Sequence, residues 1–163
     1  PLCYSIYNDP VNCNDFEPIK DYDEAIRRSK AENKPILIDF TGYACVNCRR
    51  MEENVWTSEE IKSIMTEKYI LVSLYVDDKK KLPAAQQFTY TNKEGITKEI
   101  ISVGDKWATF ETENFKNNAQ PLYAILNGEE KLMNNPVGYT PNINEYKAWL
   151  LCGLEAFEKT SKK

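Results

Sequence analysis

The 163-residue chain has the length of one domain, enough to bury about 70% of its unfolded surface without staples. Apolar residues make up 42% and charged residues 28%, which argues against global disorder, and a net charge of −4 excludes the basic footprint of a nucleic-acid partner. No apolar run approaches the ~18 residues of a membrane span, and the absence of histidine removes Ser-His and Cys-His catalytic pairs and His-ligated metal or haem.

Residues 1–20 read as an N-terminal arm or linker, with Asn8-Asp9-Pro10 and residues 12–15 as turn signals, and residues 21–163 as the domain. A helix is expected over 21–33. Asp21 stands as N-cap with Glu24 three residues on, Ala25, Ile26 and Ala31 share a face, and Asn33-Lys34-Pro35 stops it. Residues 35–40 form a nearly all-apolar run, the signature of a strand buried on both faces. A loop follows at 41–44, then helical stretches at 45–57 and 58–68, then a strand at 69–76. Helix, strand, helix, strand implies a right-handed crossover and parallel pairing.

Residues 77–120 are the irregular part. Asp77-Asp78 and Pro83-Ala84-Ala85 read as linker rather than a metal site. Residues 88–90 and 96–101 flank Asn92-Lys93-Glu94-Gly95 as a hairpin, and 105–115 is a short helix. Trp107, Phe110 and Phe115 read as local core, with a rim around an active site as the alternative. A third strand covers 122–126, Asn127-Gly128 is a hairpin turn, and 131–133 pairs back antiparallel. The chain closes with a helix over 142–158, whose apolar stripe is Tyr146, Trp149, Leu150, Leu154 and Phe157.

There are five cysteines, so at least one has no partner within the chain. Beginning at Pro1, the sequence is expected to be a processed product or a piece of something longer. Cys45-Val46-Asn47-Cys48 lies where a buried strand gives way to a helix. Two cysteines three apart there can close a small disulfide ring. Unpaired N–H groups and the helix dipole stabilise a thiolate at the first, while the second is tucked into the first turn. Disulfide exchange is the favoured reading, with a structural bridge and a zinc half-site as alternatives. Cys152 is expected to be a buried small hydrophobe; Cys3 and Cys13 either pair or stay free.

Asp39 lies in the middle of an apolar strand, six residues before Cys45. A buried carboxyl there titrates high and can exchange protons with Cys48; the alternative is a position on a solvent face. Glu52 is one turn beyond Cys48, where it either holds up the Cys48 pKa or is a solvated helix charge. Gln120-Pro121 opens the third strand, and on base rates alone the bond would be trans.

Ile38-Asp39-Phe40, the Cys45–Cys48 motif, a proline before the next-to-last strand, Asn127-Gly128 and Val137-Gly138 together resemble the thioredoxin family over about residues 22–158. Cys45-Val46-Asn47-Cys48-Arg49-Arg50-Met51-Glu52 is similar to the CVxCK-x-x-E segment of the C-terminal, periplasmic thioredoxin-like domains of the DsbD thiol:disulfide interchange proteins. The resemblance implies an α/β fold, a central mixed β-sheet flanked by helices, with 77–120 as an insertion between βαβ and ββα halves. It implies Cys45 as nucleophile, Cys48 as resolving cysteine, and Asp39 and Glu52 as the acids beside them. Pro121 would be a cis-proline beside the disulfide, Gln120 would pair its backbone with substrate, and Tyr43 and Ala44 would form docking surface. No cofactor or metal is implied beyond a redox-active Cys45–Cys48 disulfide. The implied function is a protein-disulfide reductase in the periplasm, tethered to the inner membrane as part of a longer chain. It would take electrons from a membrane donor domain and pass them to periplasmic thioredoxin-like or disulfide-containing proteins, as in cytochrome c biogenesis. A disulfide oxidase or isomerase of the same fold, and a redox-inactive binding module, are the alternatives.

Overall fold

The structure is a computed structural model that describes residue 16 and residues 18–161; Cys3, Cys13 and the turn signals before residue 16 lie outside the described residues. Helix α1, Tyr22–Glu32, starts where Asp21 Oδ1 accepts the backbone N–H of Asp23 at 3.0 Å and of Glu24 at 3.5 Å. It ends at Asn33, which takes the left-handed conformation (φ 53°) that asparagine tolerates. Strand β1, Ile36–Thr41, is buried along its whole length, as its unbroken apolar run requires. Helices α2, Val46–Asn54, and α3, Glu59–Lys68, carry the chain across to β2, Ile70–Tyr75, which lies parallel to β1 with Ile36 opposite Ile70. Strand β5, Leu122–Leu126, flanks the other side of β1 antiparallel, with Phe40 opposite Leu122. The sheet is therefore mixed, in the order β2-β1-β5.

Side chains alternate across this sheet and split the core in two. Leu37, Leu71, Tyr123 and Ile125 face Met51, Trp56, Ile61, Met65 and, from the last helix α5 (Ile143–Ser161), Tyr146 and Leu150. Ile36, Ile38, Phe40, Val72, Leu74 and Ala124 face Tyr22 and Ala25 of α1 and Trp107 of α4, Val103–Phe115. By the same period, Asp39 shares the face of Leu37, the one that α2 covers. Tight approach needs glycine at two places. A Cβ on Gly104 would sit 2.7 Å from the Val76 carbonyl, where α4 meets the end of β2, and one on Gly153 would run into Ile125 where α5 crosses β5.

Three expectations need correction: the end of the arm, the length of the turn after β5 and the burial of Cys152. Phe16 and residues 18–20, placed in the arm, pack on the sheet: Ile19 donates to the Leu71 carbonyl at 2.9 Å and accepts from Ser73 N–H at 2.8 Å, and Phe16 is buried against Trp56. Within 77–120 only the hairpin β3, Phe88–Thr91, and β4, Thr97–Ile100, stands apart from the main sheet, with Gly95 (φ 84°) in its turn. The expected core residues of α4 are in place: Trp107 is buried, and Phe110 and Phe115 pack on Phe40. Residues 131–133 pair back antiparallel as expected, through a bridge of Leu132 to Leu126 and a bond from Met133 N–H to the Ile125 carbonyl at 2.8 Å, and Val137 makes a second antiparallel bridge to Tyr123. Asn127 Oδ1 accepts from the N–H of Glu129 and of Lys131, and Glu130 takes the positive φ of 65°, so the turn runs through five residues where a two-residue one was expected. Finally, Cys152 is exposed, because it sits off the α5 stripe of Tyr146, Leu150, Gly153 and Phe157 that faces the sheet.

Candidate active site

The end of the sheet where β1 runs out gathers the predicted residues. Beyond Thr41 the chain turns through residues 42–44 into α2, and Cys45 is the N-cap of that helix. Its Sγ accepts the backbone N–H of Cys48 at 3.1 Å, and its own N–H donates to the Gly42 carbonyl at 3.2 Å. Cys45 and Cys48 form a disulfide with their Cα atoms 5.3 Å apart. The two sulfurs are not equivalent. Cys45 is half-buried between exposed Ala44 and Val46, whereas Cys48 is 2% exposed. The free N–H groups and dipole of α2 act on Cys45, the position at which a thiolate is stabilised.

Asp39 is buried, not on a solvent face, and its Oδ2 accepts the Ser73 hydroxyl at 2.9 Å from the neighbouring strand. Burial pushes its carboxyl up to about 7, and the negative Glu52 adds to this; the Ser73 bond and Arg49 oppose it. Glu52 is likewise buried rather than a solvated helix charge. Burial raises its carboxyl too, against the pull of Arg49, whose Nη2 lies 2.9 Å from Glu52 Oε2. The same Arg49 nitrogen donates to Thr41 Oγ1 at 3.1 Å and to the Gly42 carbonyl at 3.2 Å. One guanidinium thus ties the acid pair to the loop that presents Cys45.

The Gln120–Pro121 bond is cis, the isomer the resemblance implies. Because Leu122 opposes Phe40, Pro121 comes to the same sheet end as the Cys45 loop. Pro121 is buried, and Gln120 is half-buried. Tyr43 and Ala44 are exposed beside Cys45, with the Tyr43 ring stacked on Tyr75 at 4.2 Å between centroids.

Sequence reasoning missed three residues here. Arg49 carried a signal, since an i,i+3 spacing to Glu52 allows an ion pair. Asp77, read as linker, follows the end of β2, and its Oδ1 and Oδ2 accept the N–H groups of Tyr43 at 2.8 Å and Ala44 at 3.1 Å. A carboxylate placed just past a strand parallel to the site strand was the one hint. Glu111, on α4, accepts the Gln120 side-chain amide at 2.8 Å and is fully buried; nothing in its local sequence marks it.

A buried strand, a helix opening on two cysteines, a buried acid beneath and a cis-proline opposite make a site for thiol–disulfide exchange. Comparisons with known proteins agree on the fold. The family model described as thioredoxin-like matches residues 17–128. No curated protein sequence matches the chain. Among solved structures, the chain is similar to the DsbH oxidoreductase at 20% identity and a TM-score of 0.57, over 91% of this chain and 90% of that one. A thioredoxin from Thermus thermophilus matches at 14% identity and a TM-score of 0.57, over 82% of this chain and 84% of that one. The C-terminal domain of Neisseria meningitidis DsbD in its oxidised form matches at 11% identity and a TM-score of 0.52, over 82% of this chain and 96% of that one. With the family model covering most of its length and the Cys45–Cys48 disulfide in place, the chain belongs to the thioredoxin-like family.

Proposed function

We propose that this protein is a protein-disulfide reductase. The observation that carries the reading is the asymmetry of the cysteine pair: a half-buried Cys45 at a helix start and a shielded Cys48 in its first turn. In the reduced protein the Cys45 thiolate attacks one sulfur of a partner disulfide. A mixed disulfide forms and the other partner sulfur leaves as a thiolate. Cys48 gives its proton to the Asp39 carboxylate and attacks Cys45 Sγ. The second partner sulfur departs as a thiolate and takes the proton held by Asp39, leaving the Cys45–Cys48 disulfide and two electrons on the partner. Asp39 titrates near the pH at which it would have to trade that proton, which suits it to the role.

Charge supports this direction of electron flow. Two buried carboxyls on the α2 side of the sheet disfavour a thiolate in the inner position. By offsetting the stabilisation of the Cys45 thiolate they move the couple toward the reductant side, away from the strong oxidants of this chemistry. The site's surface of Tyr43 and Ala44, with Gln120 and Pro121 across from it, would receive the partner. The likeness of the Cys45–Glu52 segment to DsbD-type domains leads us to place the protein in the periplasm. There it would be tethered to the inner membrane as part of a longer chain, would be re-reduced by a membrane donor domain, and would serve thioredoxin-like or disulfide-containing partners. Among the described residues, no helix is long and apolar enough to cross a membrane.

The test is a trap. Cys48→Ala should accumulate mixed disulfides through Cys45 when incubated with periplasmic extract, visible on non-reducing gels and released by dithiothreitol. An absence of adducts from the reduced variant would refute the reading.

A further inference from the structure

Outside the disulfide site, a buried carboxyl among the described residues, Glu111, has no evident role. It is 0% exposed, in the middle of α4. That helix is firmly placed. Ser102 Oγ accepts Asp105 N–H at 3.0 Å and Asp105 Oδ2 accepts Ser102 N–H at 3.0 Å, a reciprocal cap, while Gly104 rests on the end of β2. Glu111 Oε1 accepts the Gln120 side-chain amide at 2.8 Å, and the same amide nitrogen donates to the Asn118 carbonyl at 3.1 Å. Glu111 Oε2 is shut away from water with no hydrogen-bond partner among the described residues. Burying a carboxyl half-satisfied is costly, so its presence calls for a reason.

We infer that Glu111 is a positioning residue that latches the segment before the cis-proline onto α4 and so sets how well Gln120 pairs with the backbone of a partner. This rests on the proposed reductase reading for the role of Gln120. The latch is graded by charge. An ionised carboxylate accepts a stronger hydrogen bond than a protonated one. Two influences act on this carboxyl: burial, which holds it up at about 7, and the Gln120 amide, which pulls the other way. Glu52 acts on Asp39 on the α2 side of the sheet, and neither acid contributes to the rise at Glu111. The latch therefore tightens as the pH rises through about 7.

The experiment compares two substrates of the pre-reduced protein: a disulfide-bridged nonapeptide, which offers backbone, and oxidised 2-mercaptoethanol, which offers none. Titrations of Cys45, Cys48 and Asp39 affect both rates and cancel in their ratio. In the wild type the peptide-to-small-disulfide ratio should rise about fivefold as the pH crosses about 7, the factor between a neutral and a charge-assisted hydrogen bond. Glu111→Gln should flatten that rise while leaving the small-disulfide rate within about twofold. A flat ratio in the wild type, or the same rise in Glu111→Gln, overturns the inference. Should the variant fold poorly, the Gln120 side-chain amide resonances of the wild type decide: they should titrate with a midpoint near 7, and their constancy would contradict the latch. If neither disulfide is reduced, the functional reading fails, and the amide titration still decides the latch.

Discussion

Of the three buried carboxyls among the described residues, Asp39 and Glu111 are built differently. Asp39 sits on the central strand in a network: Ser73 donates to it, Glu52 repels its charge, and Arg49 draws on both acids. Glu111 sits on a helix against one amide, with its second oxygen bare. Both are pushed up to about 7, chiefly by burial. Only the first lies on the sheet face that α2 and its cysteines cover. A networked acid can exchange a proton with a reacting thiol while its neighbours absorb the change in charge. A solitary acid can only tighten or loosen the single bond it makes. Similar titration thus supports two roles, chemistry at Asp39 and positioning at Glu111.

The largest effect that would break this contrast is kinetic. Asp39→Asn should slow resolution of the mixed disulfide by ~10²-fold, the lower end of what a positioned acid–base group contributes, and stopped-flow rates should show it. A rate within twofold of the wild type would remove Asp39 from the chemistry. The same variant sharpens the thermodynamic side. The folded-state carboxyl titrates above its unfolded value, so the folded state holds its proton longer, and stability falls as pH rises from about 4 to about 7. Asp39→Asn should therefore gain on the order of 4 kcal/mol over the wild type at pH 8 and flatten that slope, measured by denaturant unfolding at several pH values.

A smaller effect tests the loop. Asp77→Ala leaves the Tyr43 and Ala44 N–H groups without their acceptor and should cost about 1–3 kcal/mol, together with a slower attack by Cys45. Asp77→Asn keeps one acceptor oxygen and should recover part of both. Smallest is Ser102→Ala, which opens the α4 cap at a cost of about 1 kcal/mol and should leave the small-disulfide rate unchanged.

The sequence carried the parts of this site that are local in the chain. The all-apolar strand, the helix opening on Cys45, the stray acid Asp39 and the proline before β5 could each be read from a few consecutive residues. What stayed hidden depends on pairing at a distance. Asp77 looks like linker until β2 is laid parallel to β1, which brings it to the 42–44 loop. Glu111 looks like any helix charge until α4 is turned against residue 120. The exposure of Cys152 follows from which side of α5 faces the sheet, and that side is set by Gly153, whose missing side chain lets the helix approach Ile125.

The central claim is that Cys45 and Cys48 form a reducing two-electron couple. A glutathione redox titration with thiol trapping and peptide mapping tests it most directly. One reversible couple confined to Cys45 and Cys48 is expected, at or below about −200 mV. A potential near about −120 mV would make the protein an oxidant, and no reversible couple at all would leave a thioredoxin-shaped binding module.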